Sequence, residues 1–383
     1  MSKQIIAGLD IGTNVIRVVV GEFTDDKLQL IARSSSQSQG IRNGFIINKA
    51  EALTAIKKAV RLTEKQIGQS IEEVWISAGG KPMTVKLSAA SCAVTHGSGT
   101  VSETDIDNII IRAARKSLSS NQRNIESIIL KYRLDGQETV SDPTGMSGKK
   151  LELDTMMFNY AAQNADAIED ILDQIDVTIG DFFPGIIGAS IVTLSAVDRK
   201  VGCVLVDIGA DTTSFIVYDK DSPVYVNTIE YGSDAITQAL ALEYQISVVD
   251  AEIAKRNGPL PNGLNRDLVN KTVHAKLTAL FKEINKHLSD IGRKGNLPGG
   301  VIFCGGGALI DEIEEIAKTV FKVPARKAVV RAYKHKDADD RELAWASVYG
   351  LVIHSIEEER FRRRGALSKI ARSIWNNAKR YFV

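Results

Sequence analysis

The feature that most constrains the fold is an apolar hairpin carrying aspartate, which occurs twice in the 383-residue chain. The copies span residues 8–20 and 204–218, and in each the triplet Asp-Ile-Gly separates two apolar runs. Apolar runs on both sides of a glycine turn predict a buried β-hairpin. Either turn alone is ordinary hairpin chemistry, because Asp and Gly are common turn residues. Two copies in one chain indicate two related lobes whose turns face each other across a cleft.

The two turns carry groups suited to an anion and a hydrated cation. Asp10 and Asp207 supply one carboxylate from each hairpin, an arrangement that suits a magnesium ion which keeps several water molecules. Backbone N–H groups, hydroxyls and an amide that follow the aspartates are predicted to hold phosphate oxygens. The residues concerned are Gly12, Thr13, Asn14, Gly209, Thr212 and Thr213.

A third glycine turn follows later in the chain, between an apolar strand and a helix expected to begin near Leu309. It consists of Gly305, Gly306 and Gly307. Glycines without a Cβ let a ligand approach the backbone closely, so this turn is a candidate for contact with the flat part of a nucleotide.

In this order, the three turns resemble the phosphate-1, phosphate-2 and adenosine motifs of the actin, sugar kinase and Hsp70 ATPase superfamily. The resemblance implies an α/β, two-lobed, ribonuclease H-like fold that binds ATP and Mg²⁺ between its lobes, with Asp10 and Asp207 holding the metal through water. It also assigns Gly232, Glu252 and Lys255 to the nucleotide site, the last two near the ribose and base.

Composition indicates a globular, cytoplasmic protein. The chain is 44% hydrophobic and 25% charged, with a net charge of +1, so no overall basic field argues for nucleic acid. Its three cysteines have no CxxC spacing and its five histidines are scattered, which predicts reduced packing cysteines and no histidine metal cluster. No signal peptide and no apolar run of about twenty residues is found in the sequence, so no membrane span is expected.

Residues 79–165 do not continue an actin-like core, because they predict a compact inserted unit of strands and one helix. The helix is expected at 103–117, with Ser102 as its N-cap and Asp105 in a capping box. A turn-rich loop follows at 142–148, with the sequence Asp-Pro-Thr-Gly-Met-Ser-Gly. Together with the segments 40–47, 74–80, 101–106, 229–237 and 251–258, this loop makes the chain similar to the bacterial cell-division family FtsA.

The FtsA resemblance implies a division into domains. They are core domain 1A (1–78 and 166–200), inserted domain 1C (79–165), core domain 2A (201–233 and 299–355), helical domain 2B (234–298), a linker (356–365) and a membrane-targeting amphipathic helix (366–383). In this family domain 2B binds the C-terminal tail of the tubulin-like protein FtsZ. Lys276 matches a position that is commonly basic in that contact, although Lys replaces a bidentate Arg with a point charge.

The C-terminus reads as a basic amphipathic helix. Apolar residues recur at steps of three and four and basic residues lie opposite them, which suits the surface of an anionic membrane. The residues assigned to membrane contact are Leu367, Ile370, Ile374, Trp375, Lys369, Arg372, Lys379 and Arg380. The alternative is a terminal helix packed on the protein's own surface. The family resemblance further implies filaments of the protein at the division site, on the cytoplasmic face of the membrane.

Two departures from the superfamily pattern bear on catalysis. Asp211 stands where Gly is usual, which adds negative charge beside the expected phosphates. Residues 182–185, Phe-Phe-Pro-Gly, lack the Glu or Gln that often positions the attacking water, so ATP hydrolysis is expected to be weak or absent. Two rival interpretations remain open within the superfamily, namely a PilM-like adaptor of type IV pilus assembly and a small-molecule kinase.

Overall fold

The computed structural model describes residues 4–24, 27–95, 99–139, 142–261, 263–330 and 340–363. The strands are β1 (Gln4–Ile11), β2 (Val15–Thr24), β3 (Lys27–Gln37), β4 (Ile41–Arg42), β5 (Phe45–Ile46), β6 (Glu73–Ala78), β7 (Met83–Ala93), β8 (Gln122–Leu134), β9 (Gln137–Glu138), β10 (Lys150–Ala161), β11 (Thr178–Pro184), β12 (Cys203–Ile208), β13 (Thr213–Asp219), β14 (Ser222–Ile229), β15 (Val301–Cys304) and β16 (Ala325–Lys327). The helices are α1 (Lys49–Ile67), α2 (Glu103–Ser117), α3 (Ala162–Asp173), α4 (Gly185–Thr193), α5 (Ala196–Val201), α6 (Asp234–Tyr244), α7 (Val248–Lys255), α8 (Arg266–Asp290), α9 (Ile313–Phe321) and α10 (Ala346–Arg363).

The two predicted hairpins form the centres of two sheets with the same strand order. In the first lobe the order is β11-β6-β1-β2-β3, and in the second it is β16-β15-β12-β13-β14. In each sheet the aspartate of the turn lies between an antiparallel strand and a parallel strand. Asp10 pairs with Arg17 on the antiparallel side and with Ser77 on the parallel side, and Asp207 pairs with Ser214 and Cys304 in the same way. The repeat in the sequence is therefore a repeat in topology, and the actin-like fold class is confirmed.

Apolar alternation and continuous apolar runs explain why these strands form the core. Val18, Val20 and Ile16 of β2 are completely buried, and so are four consecutive residues of β15. Strands covered on both faces read as unbroken apolar runs, as the run at 301–304 does.

Helices α4 and α10 cross at two glycines beneath the cleft. A Cβ on Gly350 would lie 1.8 Å from the carbonyl oxygen of Gly188, so only glycine permits this approach of the two backbones. Helix α4 contacts both sheets, whereas α10 packs on α4 and on β1, β2 and β6 of the first lobe. The sequence analysis assigned residues up to 355 to the second core domain, but the contacts of α10 join it to the first.

The inserted unit has a sheet of its own, with strand order β7-β10-β8-β9 and α2 packed against it. As predicted, Ser102 caps α2: its hydroxyl accepts a hydrogen bond from the Asp105 N–H, and the Asp105 carboxylate accepts one from the Ser102 N–H. Burial raises the pKa of the Asp105 carboxyl, but hydrogen bonds from the hydroxyl and backbone N–H groups of Ser102 and Thr95 outweigh it and lower the pKa to about 2. The unit encloses a small separate core around Ile109, Leu151 and Met157.

Two further expectations concern the start of the helix after the triple glycine and the C-terminal helix. Residues 306–309 form a short 3₁₀ helix, and the regular helix begins only at Ile313, later than the position near Leu309 that the sequence suggested. The amphipathic helix expected at 366–383 lies outside the described residues. Among the helices that are described, none combines the length and the apolar character needed to cross a bilayer.

Candidate functional site

The ends of the central strands surround a cavity of about 690 Å³ between the two lobes. A cavity of this size falls within the usual range for small-molecule and cofactor sites. Most of the predicted nucleotide-site residues line it, from both lobes and from the helical unit. They are Asp10, Gly12, Thr13, Asn14, Asp207, Gly209, Thr212, Glu252, Lys255, Gly305, Gly306 and Gly307.

The two hairpin turns have the same local geometry. A Cβ on Gly12 would lie 2.7 Å from the Val15 carbonyl oxygen, and one on Gly209 would lie 2.9 Å from that of Thr212. Glycine is thus required at equivalent places in both turns, and the turns present polar groups to the cavity. Within the described part of the chain, the side chains of Thr13, Asn14 and Thr212 have no hydrogen-bond partner.

The two aspartates face the cavity from opposite lobes. Asp10 is held by Ser77 and lies 3.6 Å from the guanidinium of Arg17, while the Ser347 hydroxyl donates to Asp207 at 3.0 Å. Burial, followed by the negative charge of Asp10, raises the pKa of Asp207 to about 6, and burial also raises the pKa of Asp10. Burial raises the proton affinity of both carboxylates and the charge of Asp10 raises that of Asp207 further, so a cation is electrostatically favoured between them.

Arg17 is a cavity-lining cation that the sequence analysis missed. It lines the cavity beside Asp10, and its guanidinium carbon lies 5.6 Å from the centre of the Trp345 ring. A signal was present in the sequence, since Arg17 is the one charged residue in the apolar run at 15–20. In the second lobe Ser214 occupies the equivalent register position, opposite Asp207.

The triple glycine borders the cavity with little side-chain bulk. At Gly306 an added Cβ would meet no atom within 4 Å, so this backbone lies open to the cavity. At Gly305 and Gly307 there is no space for a side chain. A Cβ would lie 2.2 Å from an Asp207 carboxylate oxygen at Gly305 and 2.3 Å from the Ile208 side chain at Gly307.

Glu252 and Lys255 lie at the cavity wall as an ion pair rather than as an exposed helix pair. The Lys255 ammonium is buried, 2.6 Å from Glu252, and also donates to Thr237 at 2.8 Å. The hydrogen bonds from Lys255 and Thr237 outweigh burial and lower the pKa of the Glu252 carboxyl.

Two predicted residues lie outside the cavity lining. The Thr213 hydroxyl is buried and donates to the Tyr231 carbonyl at 2.7 Å, so it points away from the cleft. Gly232 packs behind the second turn, where a Cβ would lie 2.1 Å from the Ala210 carbonyl oxygen.

Asp211, the departure from the usual pattern, also points away from the cavity. Its carboxylate accepts a hydrogen bond of 2.8 Å from the backbone N–H of Asn43 in the other lobe. Its φ angle is not positive, so a left-handed backbone does not explain why Asp stands there.

The donor set fits a hydrated divalent cation better than a fully protein-bound one. In the part of the chain that the structure describes, no group of three or more His, Cys, Asp or Glu side chains is placed to hold a metal. Asp10 and Asp207 alone leave most of an octahedral shell to water and ligand oxygens, as is usual for Mg²⁺ with a nucleotide.

Comparison with known proteins agrees with this arrangement. The family model "Cell division protein FtsA" matches residues 204–350, and the model of the SHS2 domain inserted in FtsA matches residues 80–158. Together the two models cover more than half of the chain. The chain belongs to the FtsA family of cell-division proteins.

Curated FtsA proteins match along most or all of the chain. The protein from Borreliella burgdorferi is 24% identical over 409 residues, covering 100% of this chain and 99% of its own length. FtsA from Helicobacter pylori is 28% identical, with coverage of 92% and 82%.

Solved structures share the fold at low sequence identity. The PilM-PilN type IV pilus biogenesis complex has a TM-score of 0.70 at 14% identity, covering 92% of this chain and 98% of the matched chain. MreB5 of Spiroplasma citri bound to ADP has a TM-score of 0.54 at 12% identity, with coverage of 95% and 99%. The PilM likeness is one of fold, whereas the family models that match are those of FtsA.

Proposed function

We propose that this FtsA-family protein binds ATP and Mg²⁺ between its lobes, polymerises on the cytoplasmic membrane and anchors FtsZ filaments there. The observation that carries the proposal is the convergence of three glycine turns and two facing aspartates on one cavity, in a chain that matches both FtsA family models. The MreB5 structures of similar fold are described as bound to ADP and AMPPNP, which supports a nucleotide as the ligand.

In this proposal each group at the cavity has a task. Asp10 and Asp207 hold Mg²⁺ through water, and the turns around Gly12 and Gly209 hold phosphate oxygens. Arg17 would be a further cation for the phosphates, because its guanidinium lies beside Asp10 at the cavity and would be less needed to neutralise that carboxylate if a metal were held there. The bound metal would offset the repulsion between the two carboxylates and draw the lobes together.

ATP acts mainly as a ligand that closes the lobes. Helix α4 brings Gly185 and Ile186 to the cavity, and these residues have no group that can take a proton from water. Glu252 is already paired with Lys255. We therefore expect weak hydrolysis or none, because a general base must reach the attacking water.

The FtsZ tail is proposed to bind the helical unit formed by α6, α7 and α8. A groove of about 780 Å³ runs between α8 and α9, with His274, Lys282 and Lys322 around an apolar floor that includes Val320 and Phe321. Such a groove suits a peptide with both apolar and acidic side chains. Lys276 does not line this groove, and lies on another face of α8, where its carbonyl accepts from Tyr231. Lys276→Glu and Lys282→Glu therefore test two faces of one helix.

Filaments are proposed to form by a contact between the inserted unit of one molecule and the second lobe of the next. Large apolar side chains are exposed on both surfaces, Leu87 on the insert and Leu242, Val248 and Val249 on the helical unit. Two different surfaces that meet head to tail build an open filament rather than a closed dimer.

Co-sedimentation of the full-length protein with anionic liposomes and FtsZ tests the proposal. With ATP and Mg²⁺ the protein should carry FtsZ into the pellet, and a protein truncated after residue 365 should leave FtsZ in the supernatant. Sedimentation of FtsZ at the same level without the tail would contradict membrane anchoring by this protein.

A further inference from the structure

Beside the cavity, a hydrogen bond between the two lobes is made by the acidic residue that departs from the superfamily pattern. Asp211, in the turn of the second lobe, accepts from the backbone N–H of Asn43 in the first lobe at 2.8 Å. Next to it, Lys81 of the first lobe lies 2.5 Å from Glu230 of the second.

The first-lobe side of this contact is rigid. Asn43 and Gly44 form a turn packed on the turn at 79–81, where the Lys81 N–H donates to the Asn43 carbonyl at 2.9 Å. A Cβ on Gly80 would lie 2.7 Å from the same carbonyl oxygen, so the two turns approach more closely than other residues allow. The side chain of Asn164 fixes the turn further by donating to the Gly44 carbonyl at 3.1 Å.

The second-lobe side is equally fixed. The backbone N–H of Asp234 donates to the Ala210 carbonyl at 2.9 Å, and Ser233 donates to Gly209 at 2.9 Å. These bonds hold the turn 209–212 whose glycine and threonine line the cavity. Asp211 thus connects two anchored turns, and each turn has neighbours at the cavity wall.

We propose that Asp211 is a positioning residue that clasps the lobes together over the cavity, and that the clasp slows the exchange of nucleotide. The inference rests on the proposed function for its effect on nucleotide, but not for the clasp itself. A carboxylate is a stronger acceptor than a neutral oxygen, and its bond to a backbone N–H does not depend on a flexible partner side chain. The exposed Lys81–Glu230 pair contributes much less.

The clasp also lies at the root of the inserted unit. The chain enters that unit through residues 79–83 and returns at Ala161, whose N–H donates to the Pro82 carbonyl at 2.9 Å. Closure of the lobes at Asp211 therefore fixes the second lobe against the segment from which the insert emerges.

Two substitutions separate the clasp from a direct charge effect on phosphate. Asp211→Asn keeps an oxygen acceptor and removes the charge, whereas Asp211→Ala removes both. A clasp predicts that release of a fluorescent N-methylanthraniloyl ATP with Mg²⁺ becomes about tenfold faster in Asp211→Ala and changes less than about threefold in Asp211→Asn. Glu230→Gln weakens the exposed neighbouring contacts, in which Glu230 pairs with Lys81 and accepts from the Asn43 side-chain amide at 3.4 Å, and it should change release by less than about twofold. Asp170→Asn is the control outside the contact, because it removes an exposed carboxylate paired with Lys49, and it should leave release unchanged.

Hydrogen-deuterium exchange of the Asn43 amide in the nucleotide-free, full-length protein gives a readout that needs no ligand. The amide should exchange faster in Asp211→Ala than in the parent and in Asp211→Asn, while the melting temperature stays close to that of the parent. Unchanged exchange at Asn43 overturns the clasp. Slower release in both Asp211 variants also overturns it, because the carboxylate would then act by repelling phosphate. If no variant and no parent binds the analogue, the proposed function fails while the exchange of Asn43 still decides the clasp.

Discussion

Neutralising Asp207 should stabilise the nucleotide-free protein while abolishing its metal-dependent binding of ATP. The substitution Asp207→Asn keeps an oxygen that accepts the Ser347 hydroxyl, which now donates to the carboxylate at 3.0 Å. It removes one of two neighbouring negative charges at the cavity, and with it the charge proposed to hold Mg²⁺.

The magnitude follows from the pKa of Asp207, which burial and the neighbouring Asp10 raise from 3.8 to about 6. An acid with a raised pKa in the folded state lowers folding stability once it ionises, by at most about 3 kcal/mol for this shift. The carboxylate is partly open to water in the cavity, so we expect about 1 to 2 kcal/mol. The cost is fully present above about pH 7, diminishes as the folded protein takes up a proton near pH 6, and disappears below about pH 4.

Chemical unfolding at several pH values, without nucleotide, measures the difference between parent and variant. Asp207→Asn should be more stable at pH 7.5, and its advantage should shrink at pH 5. Asp170→Asn is the control, because it removes an exposed carboxylate that is paired with Lys49 outside the cavity. The reasoning is refuted if Asp207→Asn is less stable than the parent at pH 7.5, or if the difference does not depend on pH.

Four further predictions concern other parts of the chain. Gly306→Arg should weaken ATP binding in calorimetry by at least about tenfold without changing the unfolding midpoint, since the new side chain enters the open cavity; unchanged affinity would show that nucleotide does not occupy this end. His354 is stacked on Phe183, and burial lowers its pKa from 6.5 to about 3, so the folded protein loses stability as the pH falls below about 6.5, by about 2 kcal/mol at pH 5. His354→Phe should remove this acid sensitivity in urea unfolding, and an unaltered pH profile would contradict it. Leu242→Glu should reduce filaments on lipid seen by electron microscopy while nucleotide binding persists; filaments at parental density would exclude this surface. Trp375→Glu should lower liposome co-sedimentation by about tenfold or more, because burying a large apolar side chain contributes ~1.5 to 3 kcal/mol, and parental sedimentation would favour a terminal helix packed on the protein.

The elements that sequence predicted well are those in which local pattern and tertiary role coincide. Helix α2 begins after its Ser102 cap as expected, and both Asp-Ile-Gly turns lie where apolar runs meet glycine. The start of α9 was less predictable, because the triple glycine continues into a 3₁₀ turn before the apolar periodicity resumes at Ile313.

Contacts between segments that are distant in the sequence could not be predicted from local sequence patterns. Helix α10 has the apolar character of any core helix, and its place on the first lobe follows from its packing on β1, β2 and β6 and from the approach of Gly350 to Gly188. Asp211 has no local partner that would indicate its bond to Asn43, which is 168 residues away in sequence. Thr213 belongs to a motif that suggests phosphate contact, but strand alternation turns its hydroxyl into the protein.

The internal repeat explains which residues deserve separate functional tests. Both lobes use the same hairpin, the same parallel neighbour strand and the same glycine constraint, so these features maintain the shared architecture. The lobes differ where equivalent positions carry different chemistry. Arg17 opposite Asp10 corresponds to Ser214 opposite Asp207, so the strand position facing the aspartate carries a cation in one lobe and a hydroxyl in the other. Asn14 and Asp211 likewise follow their aspartates by four positions, yet Asn14 faces the cavity and Asp211 reaches the opposite lobe. Because a symmetric pair of turns needs neither difference to fold, Arg17 and Asp211 are the positions to which we assign the proposed ligand contact and lobe closure.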